Sequence, residues 1–559
     1  MLRGAAAPAR PRSPGATGAL AQPRGSGASS AGMKRRFNVA GPCRPDLHYM
    51  IPAERRLPEA PGLVDQSSYF VVHAPRQTGK TTALRGLAER LNASGRYAAV
   101  LFSCEAGEAW GEDIASAERT IVSEMLRNAA AVLPPELGPP PPPSAPPGDL
   151  LGATLSAWAQ ACPRPLVLLV DEIDALRGAS LISVLRQLRA GFANRPERFP
   201  WSVILCGLRD VRDYKAASGG DPNRLGTSSP FNIKLESLRL GAFTPAEVRE
   251  LYAQHTADTG QPITEAALSR SLEVTGGQPW LVNALGREIT EKIAVPPAEP
   301  ITMEHVDQAK ERLILARATH LDSLVHRLTE PRVRRVLEPV VAGTYEGGGD
   351  TYDDDLSYVR DLGLIALDNP IRIANPIYRE VIVRVLASSA EAKVPAPPAR
   401  TFIQPDGRLD LSRILREFAD FWREHGDVIA AGMPYHEVAP QLVLMAYLQR
   451  VVNGGGYVDR EYGVGRGRID LLVRWPHAGE GGQRATQREA LELKVWKDGA
   501  RDPLPKGLAQ LDEYLQRLGL ATGVLVIFDR RAGAPSTEDR TRFEEATTPS
   551  GRAVTVLRA

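Results

Sequence analysis

The chain has few of the features that mark membrane or secreted proteins. None of its apolar runs approaches the roughly 20 residues of a membrane-spanning helix. The formal net charge is only +2 over 559 residues, so no overall field attracts the chain to nucleic acid, and such a contact would need a local patch. The cysteines form no C-x-x-C pair, so neither a zinc motif nor a disulfide framework is indicated: Cys43, Cys104, Cys162 and Cys206. With 43% apolar residues, we expect a cytoplasmic protein with ordinary buried cores.

Acidic residues are absent from residues 1–32, which are mostly Ala, Gly, Pro, Ser and Arg. Such a composition cannot form a core, so it predicts a disordered tail. The pattern also fits an upstream extension of a chain that begins at Met33. A run of prolines within residues 134–148 predicts a stiff surface insertion.

The most informative segment joins an apolar strand to a phosphate-binding turn. Residues 69–82 read Tyr-Phe-Val-Val-His-Ala-Pro-Arg-Gln-Thr-Gly-Lys-Thr-Thr, and a helical pattern follows. The turn's backbone N–H groups and the helix N-terminus would point at an anion. Lys80 would reach the outer phosphates of ATP, and the Thr81 hydroxyl would hold Mg²⁺. The predicted nucleotide-binding residues are Ala74, Pro75, Arg76, Gln77, Thr78, Gly79, Lys80, Thr81 and Thr82.

This motif departs from the pattern G-x-x-x-x-G-K-[ST] at its first position, where Ala74 replaces glycine. Alanine tolerates a positive φ poorly, so we expect a slightly reshaped turn. The alternative is a chance Gly-Lys-Thr helix start, but the strand before it and the helix after it favour a P-loop.

A second apolar run, at residues 165–174, ends in Asp-Glu-Ile-Asp. Its length suits a parallel strand that is buried on both faces. Asp171 would hold Mg²⁺ through water, and Glu172 would polarise the attacking water as a catalytic base. Carboxylates at a strand end can also cap the next helix, and for Asp174 capping and chemistry stay equally open.

Other apolar runs predict strands at Tyr97–Cys104, Trp201–Leu208 and roughly Phe231–Leu238. Helical patterns separate most of the strands. This alternation predicts an α/β fold, in which a parallel sheet has helices on both faces and binds nucleotide at the carboxyl ends of its strands. We assign this P-loop ATPase core to residues 33–240.

Together with these motifs, three segments resemble AAA-like ATPases of the STAND and origin-recognition type: Phe37-Asn38, His48-Tyr49-Met50 and Gly276–Asn283. The resemblance covers residues 37–390. Within the P-loop ATPases, it is to the class that has an additional strand between the two motif strands and a catalytic glutamate after the aspartate. It implies a helical lid over residues 241–318, with Pro279 over the adenine and the His48-Tyr49 segment on its other side. It also places Arg209 at the family's sensor position, near the γ-phosphate. An ordinary surface arginine is the alternative there.

The pattern of predicted elements changes over residues 319–392. Helices at Val333–Val341 and Leu356–Leu362, then a hairpin of Leu364–Leu367 and Ile371–Ala374, suggest a winged-helix-like domain. Its basic cluster is Arg332, Arg334 and Arg335. Aspartates crowd the helix that would read DNA: Asp350, Asp353, Asp354, Asp355 and Asp361. Because these would repel phosphates, we expect intramolecular or protein contacts there.

Residues 393–405 are predicted to be a linker, and a second chemical constellation lies in residues 406–559. Asp470 follows a glycine hairpin, while Glu492 and Lys494 stand two apart in an apolar strand and so share one face. Two carboxylates and an amine around one point suit Mg²⁺ or Mn²⁺, which would activate water while Lys494 orients it. The alternative is a charged edge strand with both side chains solvated.

These three residues match, position by position, the signature of the PD-(D/E)XK nuclease superfamily, in the variety fused to AAA-like ATPases. The resemblance implies a restriction-endonuclease-like α/β domain, with Asp470 and Glu492 as metal ligands and Lys494 as a catalytic residue. Glu461 matches an auxiliary acid and would be a further metal ligand. The other matches are Glu437 on the first helix and the Q-x-x-x-Y pair Gln510 and Tyr514, whereas the usual proline before the aspartate is Ile469.

The sequence therefore predicts an ATP-binding and hydrolysing protein coupled to a metal-dependent nuclease for nucleic-acid phosphodiesters. The expected cofactors are ATP and Mg²⁺, with Mg²⁺ or Mn²⁺ at the C-terminal site. Nucleic acid is the expected partner, with DNA favoured over RNA although the sequence does not distinguish them; no membrane is expected, and oligomerisation is left open. The alternative is a STAND-type signalling switch, in which the nuclease-like domain binds but does not cut.

Overall fold

A five-stranded parallel sheet organises the N-terminal half of the protein. Its strands are β1 Tyr69–His73, β2 Ala98–Ser103, β3 Leu166–Asp171, β4 Ser202–Gly207 and β5 Glu236–Arg239. The order across the sheet is β2-β3-β4-β1-β5, and every neighbouring pair is parallel. The predicted α/β parallel sheet is confirmed, and β4 lies between the strands that precede the P-loop and the Asp-Glu pair.

The structure is a computed structural model that describes most of the chain. The described residues are 35–209, 233, 236–316, 319–342, 354–391, 402–431, 439–452, 455–464, 467–479 and 484–559. Several predictions fall outside them: the tail over 1–32, the start at Met33, most of the linker, part of the strand predicted at Phe231–Leu238, and Asp350, Asp353 and Glu437.

Helices cover both faces of the parallel sheet. The strands read as continuous apolar runs because β3 and β4 are buried along their whole lengths. Tyr69 and Val71 face one core, while Phe70 and Val72 face the other. The covering helices are α1 Ala53–Arg56, α2 Ala60–Asp65, α3 Lys80–Ala93, α4 Ile114–Val132, α5 Leu150–Ala161 and α6 Gly178–Gly191. The α3 helix packs on one face and α4 to α6 on the other.

The proline-rich segment connects α4 to α5 and is anchored at both ends. Trp158 donates its indole N–H to the Leu137 carbonyl at 2.9 Å. The buried carboxylate of Glu118 accepts from the backbone N–H groups of Gly148 and Leu151, at 2.7 and 2.8 Å. Gly138 has φ −68° and ψ 157°, which is polyproline II geometry. A stiff segment is thus held to the body of the protein.

A helical region follows the sheet. Its helices are α7 Pro245–Thr259, α8 Glu265–Thr275, α9 Pro279–Arg287, α10 Met303–Leu315, α11 Thr319–Arg327, α12 Pro331–Ala342, α13 Asp354–Asp361 and α14 Pro376–Glu391. Thr244 and Glu247 form a capping box that starts α7. Between α13 and α14, a single antiparallel bridge joins Ile365 to Ile373, where the sequence predicted a short hairpin.

The C-terminal region contains a mixed six-stranded sheet. Its elements are α15 Leu411–Ala431, α16 Ala439–Val452, β6 Tyr457–Val464, β7 Gly467–Ala478, β8 Arg484–Trp496, α17 Leu504–Leu518, β9 Thr522–Asp529, α18 Thr537–Arg540, β10 Arg542–Thr547 and β11 Ala553–Arg558. The order is β10-β11-β9-β8-β7-β6. The β6, β7 and β8 strands are antiparallel neighbours, whereas β9 runs parallel to both β8 and β11.

The two faces of this sheet have different partners. Leu472, Ala490 and Leu525 share a core with Leu511 and Leu515 of α17. The opposite face belongs to one large core, which also contains residues of α8 to α16. That core therefore joins helices α8 to α10, the helices of 319–391 and the C-terminal sheet. No helix among the described residues is both long and apolar enough to cross a membrane.

Candidate functional site

The P-loop connects β1 to the N-terminus of α3. Gly79 has a φ of +91°, which glycine adopts without a steric penalty. Gln77 has a φ of +59°, so the turn strains one non-glycine residue. Ala74 has no positive φ, and its N–H donates to the Gly207 carbonyl of β4 at 3.3 Å. The replacement of the motif's first glycine therefore needs no left-handed backbone at that position.

Lys80 and Thr81 begin α3 with their side chains turned towards the loop and the sheet. The Lys80 ammonium donates to the carbonyls of Ala74 and Pro75, at 2.8 and 3.0 Å. The Thr81 hydroxyl donates to an Asp171 carboxylate oxygen at 2.6 Å. The two predicted Mg²⁺ ligands therefore touch each other across the P-loop and the end of β3.

The acidic residues at the end of β3 have distinct surroundings. Asp171 is buried. Glu172 has a left-handed backbone, with φ 51°, and its carboxylate accepts from the Ser103 hydroxyl at 3.3 Å. Burial raises the pKa of Glu172, and the nearby charges of Glu105 and Asp171 raise it further. Asp174 instead accepts from the Leu208 backbone N–H at 3.1 Å, which ties the end of β3 to the end of β4.

A cavity of about 610 Å³ opens in front of the P-loop. One wall is residues 76–83, and the acids Asp171 and Glu172 lie at its floor. The opposite wall combines residues 38–43 and 49–51 with the helical region that follows the sheet, where the Trp280 indole N–H donates to the Val39 carbonyl at 2.9 Å. This helical region contributes Phe243, Leu251, Pro279, Trp280 and Asn283. The structure thus brings the P-loop, the Asp-Glu pair, Pro279 and the His48-Tyr49 region around one space.

Ser103 and Glu105, two polar residues beside Glu172, were not predicted from the sequence. Ser103 ends β2 and Glu105 follows it, and both line the cavity beside Glu172. The Glu105 backbone N–H donates to the Ser103 hydroxyl oxygen at 3.0 Å, so the hydroxyl hydrogen is free to point at Glu172. The available signal was topological, since β2 pairs with β3 and Ser103 stands opposite Asp171.

Arg209, the predicted γ-phosphate sensor, is not among the residues that line the cavity. Its guanidinium Nε lies 3.2 Å from an Asp361 carboxylate oxygen of α13, and its guanidinium carbon lies 5.1 Å from the centre of the Tyr358 ring. Arg239 approaches the same carboxylate at 3.6 Å. In this structure Arg209 therefore connects the end of β4 to α13.

A second group of ionisable residues lies on the C-terminal sheet. The Lys494 ammonium contacts Glu492 Oε1 at 2.5 Å. Asp470, on the neighbouring β7, accepts from the Leu493 backbone N–H at 2.8 Å. Glu492 is 2% exposed, and its Oε2 has no hydrogen-bond partner among the described residues. Burial, followed by the charge of Asp470, raises the pKa of Glu492 to about 7.

The structure describes only some of the auxiliary residues that were predicted for the nuclease-like site. Glu461 lies on β6, beside the β7 segment that carries Asp470, but its side chain is outside the described part of the structure. Gln510 and Tyr514 lie one turn apart on α17, and the buried Gln510 Oε1 also lacks a partner in the described chain. Among the described residues, no group of three or more His, Cys, Asp or Glu side chains is placed to hold a metal ion.

Known proteins match part of the chain. The family model for an AAA domain matches residues 64–214. A comparison with the curated proteins found no match. A solved Walker-type ATPase of Pyrococcus abyssi is 13% identical, covering 62% of this chain and 99% of its own, with a TM-score of 0.43.

Two further solved structures have lower TM-scores. The RuvB Holliday junction branch migration motor of Thermotoga maritima is 15% identical over 59% of this chain and 93% of its own, with a TM-score of 0.32. The Orc1 protein of Aeropyrum pernix, in complex with DNA, is 13% identical over 61% and 93%, with a TM-score of 0.31. By the family match and the parallel sheet with its P-loop, residues 64–214 form an AAA-type P-loop ATPase domain.

Proposed function

We propose that this protein binds and hydrolyses ATP in the cavity between the P-loop and the lid. The observation that carries this proposal is the contact of the Thr81 hydroxyl with Asp171 beside Lys80. These are the groups that an ATP–Mg²⁺ complex requires, and they meet in a space of about 610 Å³.

Each residue has a distinct role in this proposal. Lys80 would exchange its contacts with the loop carbonyls for the β and γ phosphates of ATP. Thr81 and Asp171 would hold Mg²⁺, which neutralises charge on the phosphates. Glu172 would accept the proton of the attacking water, while the Ser103 hydroxyl fixes the carboxylate by its hydrogen bond. Pro279 and the His48-Tyr49 segment would enclose the adenine.

We further propose that the C-terminal region is a metal-dependent nuclease domain. The supporting observation is that Asp470, Glu492 and Lys494 meet on adjacent strands, with one Glu492 oxygen buried and unpartnered in the described chain. An orphaned buried carboxylate oxygen suits a hard cation. Asp470 and Glu492, with Glu461, would hold Mg²⁺ or Mn²⁺, which would supply an activated water. Lys494 would release Glu492 and orient that water.

The helices of residues 319–391 support a role in coupling rather than in reading DNA. Two aspartates of α13 are engaged within the protein: Asp355 pairs with Arg332 and Arg335, at 3.3 and 2.7 Å, and Asp361 pairs with Arg209. A Cβ atom added at Gly363 would meet the Pro75 side chain at 2.7 Å. The turn after α13 therefore contacts the P-loop directly, so a change in the P-loop on ATP binding would alter this contact.

A second candidate is a signalling switch whose C-terminal domain binds nucleic acid but does not cut it. The Lys494–Glu492 ion pair favours this reading, because it occupies an oxygen that a metal would need. One incubation separates the two candidates. The full chain would be mixed with single- and double-stranded DNA and RNA, with Mg²⁺ or Mn²⁺, and with or without ATP. Metal-dependent cleavage supports the nuclease, whereas ATP turnover with intact substrates supports the switch. If the protein neither cleaves nucleic acid nor turns over ATP, both candidates fail.

A further inference from the structure

A planar stack of side chains lies next to the C-terminal candidate site. Trp496 follows Lys494 by two residues on β8, so both side chains are on the same face of the sheet. The guanidinium carbon of Arg531 lies 3.5 Å from the centre of the Trp496 ring. Two hydrogen bonds join Arg531 to the Asp529 carboxylate, at 2.9 and 2.6 Å.

These contacts hold the guanidinium in one orientation. A two-point bond to a carboxylate fixes the plane of an arginine fork as well as its position. Asp529 is itself buried, and its backbone N–H donates to the Ala559 carbonyl at 2.8 Å. The Trp496 indole N–H donates to the Ala500 carbonyl at 3.0 Å. The Arg531 side chain nevertheless stays 32% exposed, so part of the group is open to solvent.

The charges around the stack are mixed. Arg558 lies 5.8 Å from the Trp496 ring and pairs with Asp502. Asp498 accepts from the backbone N–H of Ala532. Arg530 directly precedes Arg531, and Arg501 is exposed in the connection between β8 and α17.

We propose that Trp496 and Arg531, held by Asp529, form a stacking platform for an unpaired nucleobase, so that the C-terminal site takes single-stranded nucleic acid. This inference rests on the proposed action on nucleic acid. Bases stack on guanidinium planes as they do on aromatic rings. Because the Asp529 carboxylate neutralises the Arg531 guanidinium, the stacked group carries little net charge. A duplex cannot use such a platform, because its bases are already stacked on each other.

The position of the platform fits this role. Two residues along a strand span roughly 6.6 Å, so Trp496 lies about that far from Lys494. This distance is about two base rises of 3.4 Å per strand. A base on the platform would therefore place a nearby phosphodiester of the same strand close to Asp470, Glu492 and Lys494.

The test is binding of the full chain to short fluorescent oligothymidylate, oligouridylate and a DNA duplex of the same length, measured by anisotropy in EDTA. The variant Arg531→Lys keeps the positive charge but loses the planar guanidinium group. The variant Trp496→Phe keeps an aromatic ring but offers a smaller stacking area. Arg552→Lys is the matched control, because Arg552 pairs with Asp512 at 3.0 Å near the other end of β11.

We expect the wild type to bind at least one single strand more tightly than the duplex. Arg531→Lys should weaken single-strand binding at least about fivefold, Trp496→Phe should weaken it less, and neither should change duplex binding. A preference for thymidylate or uridylate identifies DNA or RNA as the source of the base. Equal loss for single strand and duplex, or unchanged binding by both variants, would overturn the platform. A wild type that binds no nucleic acid would overturn the proposed nuclease and binding functions as well.

Discussion

The ion pair between Arg209 and Asp361 allows a quantitative test of the link between the ATPase sheet and α13. The substitution Asp361→Asn keeps the shape of the side chain and removes its charge. One carboxylate here serves both Arg209 and Arg239. The side chains of Arg209 and Asp361 are only 10% and 12% exposed, so water cannot replace the lost charge easily.

The size of the effect follows from this burial. Removing one partner of a fully buried ion pair costs about 3–5 kcal/mol. The pair is slightly exposed, and the amide oxygen of asparagine still accepts a hydrogen bond. We therefore expect Asp361→Asn to lower the free energy of opening α13 by about 2–3 kcal/mol. Arg209→Met should cost only about 1 kcal/mol, since Asp361 keeps Arg239. The double variant should cost less than the sum, by about 1 kcal/mol.

Hydrogen exchange of the α13 amides, followed by mass spectrometry, reports this local opening directly. Asp361→Asn should accelerate that exchange roughly 30- to 150-fold, since about 1.4 kcal/mol corresponds to a factor of ten. The matched control is Asp368→Asn, which removes an exposed pair with Arg372 and should change little. Unchanged exchange in Asp361→Asn, or strictly additive effects in the double variant, would refute the reasoning.

The remaining predictions concern the two candidate sites. Lys80→Ala should weaken ATP binding in a titration and lower hydrolysis, without unfolding the protein, because the ammonium contacts only loop carbonyls. Glu172→Gln should still bind ATP but hydrolyse it about 100-fold more slowly or worse; normal turnover would remove Glu172 as the base. Asp470→Ala should abolish metal-dependent cleavage and weaken metal binding in calorimetry. Lys494→Ala should abolish cleavage but leave metal binding largely intact, and neither should change ATP turnover without nucleic acid.

The sequence predicted the parts of the fold that depend on local patterns. The P-loop and the strand ending at Asp171 were predictable because each motif is contiguous, and a buried parallel strand reads as an unbroken apolar run. The shared face of Glu492 and Lys494 followed from the two-residue period of a strand. In the structure the Lys494 ammonium contacts Glu492 Oε1 at 2.5 Å.

Contacts between distant segments could not be read in the same way. Arg209 and Asp361 are 152 residues apart, and nothing in either neighbourhood indicates the other. The aspartates of α13 looked like an obstacle to DNA, but Asp355 and Asp361 are partners for arginines elsewhere in the fold. Ser103 was missed because a serine at a strand end has no distinctive pattern.

The large core that joins helices α8 to α10, the helices of 319–391 and the C-terminal sheet has a consequence for moving the C-terminal region between proteins. Helices α14 and α16 both contribute buried residues to that core, among them Ile382 and Leu442. A C-terminal region transferred alone into another protein would expose an apolar side. The C-terminal region is therefore not a freely exchangeable module.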